Sequence, residues 1–228
     1  RKNADGSVKK DANGNPIVLR KDTRTAVFTL PSSPIKVIYR SDASGTQGNF
    51  TNFLAGAAST VWTKAGNNDF KATFPGDLNS VSNLGRITSA SGSSGVTVLA
   101  GKTPYSITFA EKSYAKAQGL GVANIGNAAG NFQAPDAAGT SAFLGAASQD
   151  ANGFLKFDYK TTAPGAYPLG IVSYALVDTK TSNAAAIKQL LNYILSPKCV
   201  NTDPALEYST ITGSLLAFNQ KQIAKIGA

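Results

Sequence analysis

Ile35-Lys36-Val37-Ile38-Tyr39-Arg40-Ser41-Asp42-Ala43-Ser44-Gly45-Thr46 is the stretch on which the fold turns. Behind Pro34, its first six residues form a β-branched and aromatic run that ends at Arg40, where small polar residues begin. That is the composition of a strand. Beyond it, Phe50, Phe53, Leu54 and Ala57 recur at helical spacing, which predicts a helix over Gln47–Thr60. The order strand, tight polar turn, helix sets a helix N-terminus, with unpaired N–H groups and about half a positive charge, directly after Arg40. An oxyanion suits that place: Ser44 and Thr46 offer hydroxyl donors, Gly45 allows close approach, Arg40 can bind two oxygens as a fork, and Asp42 can hold the guanidinium. The same residues equally serve an ordinary capped helix, with Ser44 or Thr46 at the N-cap.

Working outward, residues 64–94 are rich in Gly, Ser and Asn and read as irregular, with one short helix over Asp77–Leu84. Alternation follows: a helix over Gly95–Ala100, a strand Tyr105–Phe109, a helix Glu111–Gln118, a strand Leu120–Ile125 and a helix Pro135–Ala147. This is α/β organisation. A linker, Thr162-Ala163-Pro164-Gly165, leads to a long apolar strand Tyr167–Val177 and to helices Asn183–Leu195 and Ser214–Ile226. Upstream, Asn13-Gly14 between short alternating runs predicts a solvated β-hairpin over residues 5–20. Asp11, Asn13 and Asn15 have the spacing of a calcium loop, but Pro16 stands where that loop needs Gly, and no Glu closes it.

Composition excludes more than it names. With 228 residues the chain is long enough for a core without staples. It has no His, which removes imidazole-based triads and His-ligated zinc, and one Cys, Cys199, which cannot build a metal cluster or an intrachain disulfide. No Met is present, and the expectation is a processed product cut from something longer. No run reaches the ~20 apolar residues of a membrane span. A net charge of +9, from 22 basic and 13 acidic residues, favours anionic partners. The loose N-terminal cluster of Arg1, Lys2, Lys9, Lys10, Arg20, Lys21 and Arg24 contains no aromatic, so nucleic acid is not the expected partner.

The stretch from Ile35 to Thr46 resembles the signature of the phosphate-binding proteins of phosphate-specific ABC transporters. Ser94-Gly95-Val96, the segment Tyr105–Ala115, Leu120–Ile125, Gly130–Pro135, Tyr167-Pro168-Leu169 and Glu207-Tyr208 follow in that family's order, so the resemblance covers residues 27–228. It implies a two-lobed, type II periplasmic-binding-protein-like α/β clamp. Residues 1–34 would be an N-terminal hairpin and connecting segment, 35–165 the ligand-binding lobe and 166–228 a return segment of the second lobe. It also implies Arg40, Ser44, Gly45 and Thr46 as phosphate contacts, with Asp42 orienting Arg40. The family's other ligands lie upstream of anything present, so one lobe is expected to be incomplete and finished by a missing N-terminal segment or a partner chain. An unpaired Cys199 fits that expectation. Two positions depart from the family: Thr108 replaces a common Gly, and Ser93-Ser94 replaces Gly-Asn.

The implied function is extracytoplasmic capture of inorganic phosphate for an ABC transporter permease, at the periplasm or cell surface or in secreted form. It requires no enzyme activity, no metal and no cofactor. An envelope or extracellular assembly subunit reusing the fold is the alternative, and a Ser- or Lys-based hydrolase is a third class. Gly95–Thr103 has the look of a nucleotide P-loop, but five residues separate Gly95 from Gly101, and Pro104 opposes the helix the motif requires. Gly101 reads better as a helix C-terminus. Asp69, Asp77 and Glu111 read as isolated carboxylates without an identifiable partner.

Overall fold

The computed structural model describes Asn3, Asp5, Ser7, Val8, Lys10, Gly14 and residues 31–150, 152–202 and 208–227. The chain divides into two units, Arg1–Ser33 and Pro34–Ala228. In the first, Ser7 donates from its N–H and its hydroxyl to Asp5 Oδ1 at 2.9 and 2.6 Å, which holds the Asp5 carboxyl below its usual range. Most of the expected hairpin, Asn13 included, lies outside the described residues, as do Asp11, Asn15 and all of the basic cluster except Lys10.

The second unit is built on a parallel three-stranded sheet. Strand β1 (Lys36–Arg40) lies between β2 (Ile87–Ala90) and β3 (Ser106–Ile107), with Val37 opposite Ile87, Arg40 opposite Ala90 and Lys36 opposite Ser106. Each strand leads into a helix: β1 into α1 (Gly45–Ala57), β2 into α3 (Gly92–Gly101) and β3 into α4 (Lys112–Ala117), while the short α2 (Phe70–Thr73) lies between α1 and β2. Parallel strands with crossovers require both faces covered. On one side Ile38 and Val96 are fully buried with Ala100, and Ala90, Leu99, Ala110 and Leu120 pack against them. Tyr39, pointing the opposite way along the pleat, stacks on Phe70 at 4.4 Å, and Trp62 and Phe74 extend that cluster.

Two small antiparallel pairs follow, β4 (Ile125–Gly126) with β5 (Phe132–Gln133) and β6 (Ser148–Gln149) with β7 (Leu155–Lys156), separated by α5 (Ala137–Gly145). Asp136 caps α5 by accepting from the Gly139 N–H at 2.7 Å. The chain ends in α6 (Ala184–Ile194), α7 (Pro197–Thr202) and α8 (Gly213–Ala224), with α6 packed on the other two.

Residues 64–94, expected to be irregular apart from one short helix, carry α2 and β2, and three expected elements form otherwise. Asp77–Leu84 forms turns, not a helix: Asp77 Oδ1 accepts from the Asn79 N–H at 2.8 Å and Asn83 Nδ2 donates to the Asp77 carbonyl at 2.8 Å. Short polar side chains here compete with the helical backbone. Of Leu120–Ile125 only the last residue pairs in a strand. Tyr167–Val177 joins no ladder: Pro168, which is buried, lacks an N–H, and Gly170 lies against the Phe143 ring. Ile171, Tyr174 and Leu176 are left exposed, as are Leu190 and Ile194 of α6. Glu207 lies outside the described residues, and Cys199 is a partly buried free thiol.

Candidate functional site

The C-terminal ends of β1, β2 and β3 bring three helix starts together, the place where open parallel sheets take their ligands. At the centre is Arg40, the last residue of β1. Its backbone N–H donates to Gln47 Oε1 at 3.0 Å, and Gln47 Nε2 donates to the Asn68 carbonyl at 2.7 Å. Gln47 is fully buried, so this one amide ties the end of the strand, the first turn of α1 and the 67–69 segment together. Gly48 suits the same approach, because a Cβ there would meet Asn68 Oδ1 at 2.0 Å and push that side chain aside. The buried face of α1 is therefore Gln47, Gly48 and Thr51, not its apolar stripe. Phe50 of the stripe is only half-buried and stacks on Phe109 at 4.4 Å.

Ser44 is the N-cap: its backbone is extended and its Oγ accepts from the Gln47 N–H at 3.4 Å. The Ser44 hydroxyl hydrogen therefore stays available, and the Gly45 and Thr46 N–H groups have no intrahelical acceptor. Gly45 is exposed, with nothing within 4 Å of where a Cβ would stand, so the backbone can be approached from solvent.

Arg40 and Asp42 meet as the spacing predicts. Arg40 Nε donates to Asp42 Oδ1 at 2.8 Å and Nη2 pairs with Asp42 Oδ2, while Nη1 donates to Ser93 Oγ at 3.1 Å. Asp42 Oδ1 also accepts from the Gly92 N–H at 3.0 Å, and Gly92 reaches it with φ of 72°, a backbone that suits glycine. The hydrogen bond with Asp42 raises the Arg40 pKa, and those from Arg40 and Gly92 hold the Asp42 carboxyl far below the usual carboxylate range. Three of the five guanidinium N–H groups are thus committed among the described residues, and two remain for an anion.

Two participants escape the sequence reading. Glu111 is not isolated: Thr46 Oγ1 donates to Glu111 Oε1 at 2.7 Å. Burial pushes the Glu111 carboxyl up, but the nearby Ser93 and Thr46 hydroxyls and Arg40 outweigh it and hold the pKa below its ordinary value. Ser93, which fixes the guanidinium, is one of the two serines standing where the family pattern has Gly-Asn. Both contacts span more than fifty residues of sequence, and no local spacing could reveal them. Thr108, the other departure, donates to the Ile38 carbonyl at 2.9 Å and so ties the segment after β3 to β1.

Lys102 and Thr103 stand at the opposite, C-terminal end of α3, where the helix dipole is negative and repels phosphate. Gly101 is the last helical residue and Lys102 the C-cap. Among the described residues no group of His, Cys, Asp or Glu could hold a metal ion, and no helix is long and apolar enough to cross a membrane.

The sequence pattern of the PBP superfamily domain matches residues 9–198, most of the chain. The chain belongs to the PBP superfamily. Its α/β architecture is that of a periplasmic-binding-protein fold. Superfamily relatives include phosphate-binding protein PstS 3 of Mycobacterium tuberculosis, 34% identical over 160 residues that make up 67% of this chain and 40% of the relative. Phosphate-binding protein PstS 2 of the same species is 32% identical over 74% of this chain and 45% of its own length. Phosphate-binding protein PstS of Methanocaldococcus jannaschii is 34% identical over 73% of this chain and 45% of its own length. The chain spans less than half the length of these relatives.

Proposed function

We propose that this chain is part of an extracytoplasmic binding protein that captures inorganic phosphate and delivers it to an ABC transporter permease. The observation that carries the reading is the Arg40 guanidinium, pinned by Asp42 and Ser93 beside the start of α1 with two N–H groups left over among the described residues. The names of the relatives point to the same ligand. Arg40, the Ser44 hydroxyl and the Gly45 and Thr46 N–H groups are the contacts, and Asp42 orients Arg40. Capture needs donors and a positive field but no bond-making group, so no enzyme activity is proposed.

Residues 35–165 form the ligand-binding lobe of a two-lobed clamp, residues 166–228 contribute to the second lobe, and residues 1–34 connect. The exposed Ile171, Tyr174, Leu176, Leu190 and Ile194 support completion of that second lobe by protein outside these 228 residues. Calorimetric titration of the full gene product with inorganic phosphate tests the reading. Saturable binding of phosphate and none of ATP is expected; heat-silent phosphate titration with a folded protein contradicts it.

A further inference from the structure

On its way to the terminal helices the chain passes through residues 166–170, and hydrogen bonds from three directions seat that stretch. Asn127 Nδ2 donates to the Ala166 carbonyl at 3.2 Å, and the Tyr167 N–H donates to the Gly139 carbonyl at 2.9 Å. Asn49 Nδ2 donates to the Gly170 carbonyl at 3.2 Å, with the Leu169 carbonyl 3.4 Å away. Ala166, Pro168 and Gly170 are buried, and a Cβ on Gly170 would meet the Phe143 ring at 2.9 Å. Past Gly170 the seat ends: Ile171, Tyr174 and Leu176 are exposed, and the backbone joins no ladder. Asn49 thus holds the last seated position of this crossover.

Asn49 also belongs to α1, one turn beyond the Gly45 and Thr46 N–H groups. Its amide is fixed from the other side, because the Tyr159 hydroxyl donates to Asn49 Oδ1 at 3.0 Å and leaves Nδ2 for the crossover. Tyr159 is held in turn: its ring packs against Phe53, Phe143 and Phe157, and a Cβ on Gly56 would come within 3.1 Å of it. Burial pushes the Tyr159 phenol up to about 12, so it remains a donor throughout the neutral range. Gly45, Asn49, Tyr159, Ile171 and Tyr174 line one groove of about 490 Å³, which sets the start of α1 and the first unseated residues on the same open space.

An amide side chain is short, and a hydrogen bond is lost once its atoms part beyond about 3.5 Å, so the Leu169 and Gly170 carbonyls cannot draw back from α1 without breaking this tie. A bound oxyanion restrains the same helix at its first turn. We infer that Asn49, locked by Tyr159, is a positioning residue that couples the crossover at Leu169 and Gly170 to the anion-facing turn of α1, so that a bound oxyanion and a seated crossover stabilise each other. By reciprocity, each favours the other by the same factor. The inference rests on the oxyanion reading above and adds to it a residue that is not among the proposed contacts.

The test is hydrogen–deuterium exchange of the full gene product with and without saturating inorganic phosphate, read on the backbone N–H groups of residues 169–177, together with the phosphate dissociation rate by stopped flow. In the wild type, phosphate should slow exchange at 169–177. Asn49→Ala, and Tyr159→Phe, which keeps the ring, should each abolish that slowing while leaving it at Gly45 and Thr46. Each should also raise the dissociation rate about twofold to tenfold, the range that one neutral hydrogen bond supports. A merely structural role would lower the unfolding midpoint and leave the phosphate-dependent slowing in place, and that result in either variant overturns the inference. A wild type that binds phosphate with exchange at 169–177 unchanged overturns it while leaving oxyanion capture standing. Absence of phosphate binding overturns both.

Discussion

Arg40 is oriented before any ligand arrives, because Asp42 and Ser93 hold its plane and an anion need not order a long side chain. Asp42 links this to pH. Its folded pKa lies below the ordinary aspartate value of 3.8, so the stability it contributes is fully present above that value and is lost as pH falls through the folded one. Chemical unfolding of wild type and Asp42→Asn should therefore differ by a constant amount above about pH 5 and converge in strong acid. A difference that grows toward low pH would refute the assignment. The Arg40–Asp42 contact was legible, since two residues separated by one in a turn have few other places to go. The Thr46–Glu111 and Arg40–Ser93 contacts were not, because the topology of the sheet alone brings those segments together.

At the scale of elements, α1 is held by polar groups on its buried side, and Gln47 carries the most. Gln47→Leu leaves the Arg40 N–H and the Asn68 carbonyl without their partner, a loss of about 1–3 kcal/mol for each group that stays unsatisfied. Thermal unfolding should show the midpoint lowered by several degrees, and an unchanged midpoint would contradict the role given to Gln47. The strand β1 was legible from Val37, Ile38 and Tyr39, and α1 from its capping residues and spacing. In contrast, β2 is four residues of mixed character that become a strand because β1 offers them a partner, and Tyr167–Val177 looks like a strand but joins no ladder. Such pairing is non-local, and apolar runs alone do not report it. For α3 the prediction is negative: with Lys102 at its C-terminal end, Lys102→Ala should leave phosphate affinity unchanged, and ATP should show no saturable binding to either form. Saturable ATP binding abolished by Lys102→Ala would restore the P-loop reading.

For the whole molecule, a net charge of +9 draws anions toward the protein at long range, while the β1–α1 turn supplies the local donors. The two contributions separate experimentally. Raising the salt from 0.01 to 1 M shrinks the screening length from about 30 to about 3 Å and should slow phosphate association more than it speeds dissociation. Stopped-flow measurements in which only the dissociation rate responds would contradict that division. The central claim is that this superfamily chain holds an oxyanion at the start of α1 through Arg40. Paired calorimetric titrations of inorganic phosphate into wild type and Arg40→Ala test it most directly. A charge-assisted hydrogen bond contributes about 1.5–3 kcal/mol, so Arg40→Ala should bind roughly tenfold to a hundredfold more weakly while its unfolding stays cooperative. Equal affinities in the two proteins would contradict the account.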